Sequence, residues 1–170
     1  MKKLLFFTLL LSAFALRAQA PLGSEFSGNW FFSRAEIQEK PAGSWEDFEP
    51  AGTMFLNEFS EHPHFRKIPT HIAFYEGKFL TYTAGEKWFL KVFAALNDAG
   101  EIEFRDAISS GMSYNDEEDV KQLRIASYPL EITFINSNVT ENMMLLQHYY
   151  YRHNEEGGKE GVVTIYYNRE

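Results

Sequence analysis

The sequence predicts an all-β domain, an antiparallel up-and-down β-barrel of about 8–10 strands. Three observations carry this. Short runs of alternating apolar and polar residues follow one another from Phe26 to Arg169, and turn signals separate them at intervals of about eight to twelve residues. No heptads, repeats or low-complexity tracts interrupt the pattern. Most of the connections are short enough for hairpins, and a meander of hairpins closes into a barrel because closure removes the edges that an open sheet exposes.

The first element is not part of the fold. Lys2 and Lys3 precede an almost wholly apolar run over residues 4–16, and Ala18-Gln19-Ala20 is a small-x-small cleavage site. Residues 1–20 therefore read as an export signal cleaved near Ala20, and the apolar run is too short for a transmembrane helix. The chain has no cysteine, hence neither a disulfide nor a lipid-bearing cysteine at the cleavage point. Residues 21–170 are then one domain, secreted or periplasmic, whose stability rests on burial. Without Lys2, Lys3 and Arg17 the domain carries 13 basic against 24 acidic side chains, a net charge of −11. That balance provides no basic footprint for nucleic acid and is repelled by an anionic membrane surface. It leaves open whether there is a protein partner.

The first strand holds Gly28-Asn29-Trp30, runs on to about Ile37, and organises the rest. Gly28 is expected to permit close approach and Trp30 to fill one end of the interior. Residues 39–51 contain Pro41, Gly43 and Pro50, and are expected to form a long loop or lid. Trp45 and Phe48 lie in it, where they either pack back on the body or meet a ligand. Further strands are expected at 53–59, 71–76, 78–83, 87–96, 101–107, 120–126, 130–135, 142–152 and 162–169. Gly77, Gly85, the 97–100 turn, the acidic run 115–119, Pro129, Asn136-Ser137-Asn138 and Gly157-Gly158 mark the breaks. Alternation then turns Leu130, Ile132 and Phe134 inward, with Ile102 and Phe104, Leu123 and Ile125, and Val163, Ile165 and Tyr167 alongside Arg169. On the first strand Trp30 and Phe32 share a face with Arg34 and Glu36. Charged side chains on an inward face are unusual.

The Gly28-x-Trp30 opening after a signal peptide, the hairpin meander and the final Ile165-Tyr166-Tyr167-Asn168-Arg169 together resemble the lipocalin-like members of the calycin superfamily, in particular the small secreted ones of Bacteroidetes. The resemblance implies that Trp30 sits at the closed end of the barrel with Arg169 packed across it, a contact of about 1–2 kcal/mol when desolvated. It covers the mature chain in architecture and only these residues in motif. The chain departs from the animal lipocalin pattern in having no Thr-Asp-Tyr-like second motif, no disulfide cysteines and no helix after the last strand. An avidin-like barrel also opens with Gly-x-Trp, but Ser33-Arg34-Ala35 lack the polar residues that read a ureido group.

Non-catalytic binding of a small hydrophobic or amphipathic ligand inside the barrel is the expected function. Arg34 is its candidate polar anchor, because a buried guanidinium needs a partner and a ligand carboxylate supplies one bidentately. Phe32, Trp45, Phe74, Tyr82 and Tyr149 are the candidate lining. Alternatively Arg34 pairs with Glu36 or another internal acid, or faces water, and the chain is a protein-interaction module with a packed core that acts through its loops and outer face; a barrel enzyme is the third and least favoured reading. Aromatic filling of the interior favours that second reading, and a large interior cavity favours the first. His62-x-His64 with His71, and His148 and His153 further on, are either incidental or a metal site, although Pro63 separates the first pair and no carboxylate completes a familiar spacing. No nucleophile elbow, phosphate loop or zinc-protease motif is present, so neither catalysis nor a cofactor is expected. The run Met143 to Tyr151 is either strand or a sticky face, and Asn138-Val139-Thr140 matches a glycosylation sequon.

Overall fold

A computed structural model describes residues 21–75, 79–84, 87–115, 120–154 and 157–170, with the backbone alone at 75, 79, 81–84, 87–91, 106–115, 120–129 and 154. The expected export signal, the acidic run at 116–119 and the side chains of Tyr82, Leu123 and Ile125 lie outside the described residues. The chain is all-β, with every strand pairing antiparallel. Its strands are β1 (Gly28–Pro41), β2 (Glu49–Met54), β3 (His71–Tyr75), β4 (Phe79–Ala84), β5 (Lys87–Leu96), β6 (Ile102–Asn115), β7 (Val120–Phe134), β8 (Asn136–Val139), β9 (Met143–Asn154) and β10 (Gly157–Arg169). One short helix, α1 (Leu56–Glu61), interrupts them.

The ladder order is β7-β6-β5-β4-β3-β1-β10-β9-β8, with β2 pairing β1 off this path. Consecutive hairpins account for most of it, as the meander predicts. The two exceptions both involve β1, which pairs with β3 past β2 and with β10 along almost its whole length. No ladder among the described residues joins β7 to β9. Two hydrogen bonds bridge that seam: Ile135 N donates to Gln147 O at 2.8 Å, and His148 Nδ1 donates to Thr133 O at 2.9 Å. Aromatic packing shows how strongly the sheet curls. Phe74 on β3 meets Phe104 on β6, two strands beyond its neighbour, with ring centroids 6.2 Å apart.

Trp30, Ile72, Leu80, Ile102, Phe104, Phe134, Met144, Leu146, Val163, Ile165 and Tyr167 are all buried in one core, so alternation assigned most inward faces correctly. At one end Trp30 donates from Nε1 to Phe26 O at 2.7 Å, and the Arg169 guanidinium lies 4.3 Å from the centre of its ring. Trp30 and Arg169 are direct partners in the β1–β10 ladder. Gly28 is needed for its backbone: φ is +119°, which side-chain-bearing residues rarely adopt. A Cβ there would make only ordinary contact with Arg169, so close approach is not the reason.

The inward assignment fails in β1. The β1–β10 register shifts between Phe32 and Arg34, where Ser33 is an extra residue. A bulge of one residue reverses every later side chain. Trp30 and Phe32 face the core, and so do Ala35 and Ile37, both buried, whereas Arg34 and Glu36 turn outward with 41% and 43% of their side chains exposed.

Other boundaries also differ from the sequence expectation. β1 continues to Pro41 and β2 begins at Glu49, so the expected loop at 39–51 shrinks to a turn over 42–48. Pro41 is tolerated because it ends the strand. Residues 53–59, read as strand, divide between the end of β2 and α1, whose first turn is fixed by Phe55 N donating to the Glu58 carboxylate at 3.3 Å. Pro129 does not break β7, because it falls where the β6–β7 register shifts between Arg105 and Ala107, a step that needs no N–H from it. Asn136-Ser137-Asn138, read as a break, lies in β8.

Candidate functional site

Beyond the Ser33 bulge, the outer face of the sheet is built from alternate residues of three neighbouring strands. β1 contributes Arg34, Glu36 and Gln38, β10 contributes Val162, Thr164 and Tyr166, and β9 contributes Leu145, Gln147, Tyr149 and Tyr151. β2 lies along the other side of β1 and walls a groove of about 450 Å³ over this face. Glu36, Gln38, Thr53, Gln147, Thr164 and Tyr166 supply its polar lining.

The polar groups of the groove are held in two linked sets. Arg34 Nε donates to Glu36 Oε1 at 3.0 Å, Tyr166 Oη donates to Glu36 Oε2 at 2.9 Å, and the guanidinium lies 4.0 Å from the centre of the Tyr166 ring. The Arg34 hydrogen bond, then that from Tyr166, holds the Glu36 carboxyl below the usual carboxylate range. Burial and the Glu36 hydrogen bond push the Tyr166 phenol up. Glu36 is thus an anion and Tyr166 a neutral donor at any physiological pH. So exposed an ion pair adds only about 0–1 kcal/mol to stability; its effect is to fix the Tyr166 ring. In the second set, Gln147 Nε2 donates to Thr164 Oγ1 at 3.0 Å and Asn136 Nδ2 donates to Gln147 Oε1 at 3.2 Å.

Of the six residues expected to line an interior site, the five whose side chains are described do not come together. Phe32 faces inward, stacked on Phe59 at 4.6 Å, and Phe74 is buried between Phe26 and Phe104. Arg34, expected as an inward anchor, is on the outer face because of the bulge, and its partner is Glu36. Tyr149 is also on the outer face, 42% exposed, and Trp45 is fully exposed at the β1–β2 turn. The Tyr82 side chain is outside the described residues.

A second constellation lies where β1 leaves the core at the end away from Trp30. Here Glu39, with 11% of its side chain exposed, accepts hydrogen bonds from Tyr150 Oη at 2.8 Å, Arg152 at 3.0 Å and Lys159 at 3.2 Å. Burial pushes the Glu39 carboxyl up, but Tyr150, Lys159 and Arg152 pull it further down, for a net lowering. Gly161 makes this clamp possible: a Cβ there would land on the Tyr150 ring. Phe65 meets Tyr150 edge-on at 5.0 Å and stacks against Phe59, so residues after α1 plug the same end. The His62 ring stacks on Phe65 at 4.4 Å, and burial, then the neighbouring His64, lowers its pKa. His71 stacks on Phe31, and His148 sits at the β7–β9 seam. Among the described residues no three His, Cys, Asp or Glu side chains are grouped to hold a metal.

Sequence reasoning gave the Arg34–Glu36 pair and a water-facing Arg34 as its alternative, and missed the rest of the groove and the Glu39 clamp. With the extra residue at Ser33 counted, alternation alone turns Glu39 inward and Glu36 and Gln38 outward. Tyr150 and Arg152, two apart on β9, then follow. No protein-family model, no curated protein and no solved structure matches this chain.

Proposed function

We propose that this chain is an exported, non-catalytic binding module on a lipocalin-like barrel, in which recognition takes place on the outer face of β1, β10 and β9. The observation that carries this reading is the aromatic column Phe32–Phe59–Phe65–Tyr150, which packs the interior beneath β1 and β9 while a polar groove lies open on the other side of those strands. The lipocalin-like component is supported by the Arg169 guanidinium over Trp30 and by the curl that brings the β7 and β9 ends within hydrogen-bonding reach. A ligand at this end of the interior requires Phe59 and Phe65, both fully buried, to leave their places.

Hydroxyl-radical footprinting with and without concentrated culture medium from the host tests this reading. Protection of Tyr149, Tyr151 and Tyr166 is expected. Protection confined to Phe32 or Phe74, or none at all, contradicts it.

A further inference from the structure

The lining of the outer groove selects a class of ligand. Of the side chains lining it only Glu36 carries a charge, and Arg34 already neutralises it; Lys40 and Glu160, beside Tyr149 and Tyr151 on the same face, pair with each other at 3.7 Å. A polyanion finds no free cation there and meets a chain of net charge −8 before any processing. An extended peptide adding to the outer edge of β2, which pairs only with β1 among the described residues, meets Pro50, which has no N–H to offer, and Gly52 at φ +154°. An apolar molecule would strip water from two amides, three hydroxyls and a carboxylate without replacing those hydrogen bonds.

A molecule that both donates and accepts at many points, and has apolar faces, satisfies all of them. Gln38, Gln147, Thr53 and Thr164 each offer donor and acceptor functions, and Glu36 offers an oriented acceptor. Tyrosines continue the surface beyond the groove. Tyr149 and Tyr151 project from the same face of β9, about 7 Å apart by strand geometry, and are 42% and 51% exposed. Exposed, stiff aromatic rings in a row are a costly surface for a solitary protein, and they give large contact area at small entropic cost when a flat face packs on them. Hydroxyls to meet amides and carboxylate, C–H faces to meet tyrosine rings, and no charge describe a neutral saccharide.

We infer that the groove and the β9 tyrosines bind a neutral saccharide chain lying along β9. This rests on the outer-face reading above. Isothermal titration with neutral hexasaccharides of glucose, xylose, mannose and N-acetylglucosamine, and with a uronic acid hexasaccharide as the charged comparison, tests it. At least one neutral chain is expected to bind saturably with a Kd of about 10 μM to 1 mM. Gln147→Ala and Tyr149→Ala, each melting like the parent, are expected to weaken it by about tenfold or more, a loss of about 1.4 kcal/mol, and Glu131→Ala on β7 to leave it unchanged. Failure of every neutral chain to bind at about 5 mM, or preference for the uronic acid chain, overturns the saccharide assignment. If footprinting still protects the outer tyrosines, the outer-face reading survives that failure. Binding that both variants leave intact overturns the saccharide site and the outer-face reading together.

Discussion

Ser33 determines what this protein presents to its surroundings. One unpaired residue in β1 moves Arg34 and Glu36 from the core to the surface and brings Ala35, Ile37 and Glu39 in. Upstream of it, Trp30 has the inward position expected and Arg169 covers it. Trp30→Ala should destabilise the fold by about 3–5 kcal/mol, measured by urea unfolding; a variant as stable as its parent contradicts the role of the Trp30–Arg169 end. Glu39 leads to a prediction in pH. Its folded pKa is lowered, so the clamp stabilises the protein above the unfolded glutamate value of about 4.3 and is lost as pH falls through the folded one. Glu39→Gln should therefore lie furthest below the parent near neutrality, and the gap should shrink as pH drops below about 4. A constant gap from pH about 7 to 3 would mean the carboxylate charge plays no part.

Among the elements, those with regular alternation were legible and those with a local irregularity were not. Leu130, Ile132 and Phe134 at the end of β7 are buried as their spacing predicts. The same strand passes through Pro129 because a register shift absorbs it, and no feature of Pro129 itself announces that. α1 spans six residues, too few for a helical period to emerge from the strand pattern around it. The seam between β7 and β9 is held by a neutral His148 donating to Thr133 O. Burial lowers the His148 pKa more than that hydrogen bond raises it. A histidine with a lowered folded pKa binds its proton more readily when unfolded, so stability should fall as pH drops below about 6.5. His148→Gln should flatten the dependence of the urea midpoint on pH between about 6.5 and 5, leaving the share due to His62, which has the same sign. An unchanged pH dependence would remove His148 from the seam.

For the molecule as a whole, composition and alternation predicted an antiparallel all-β chain, and its strand order follows the hairpin meander apart from β1, which pairs with β3 and with β10. The candidate site was not legible in the same way. Its residues were visible as ordinary polar and aromatic side chains, but which face they occupy depends on a bulge that sequence does not mark, and the reversal it causes exchanges an interior anchor for an exterior groove. The parent contains no cysteine, which makes that exchange directly measurable. Arg34→Cys, Ala35→Cys, Glu36→Cys and Ile37→Cys, made one at a time, can be compared by their rates of reaction with a maleimide. Rapid labelling at positions 34 and 36 and slow labelling at 35 and 37 is the predicted result. Slow labelling at 34 and 36 with rapid labelling at 35 and 37 would put Arg34 back inside and remove the outer groove.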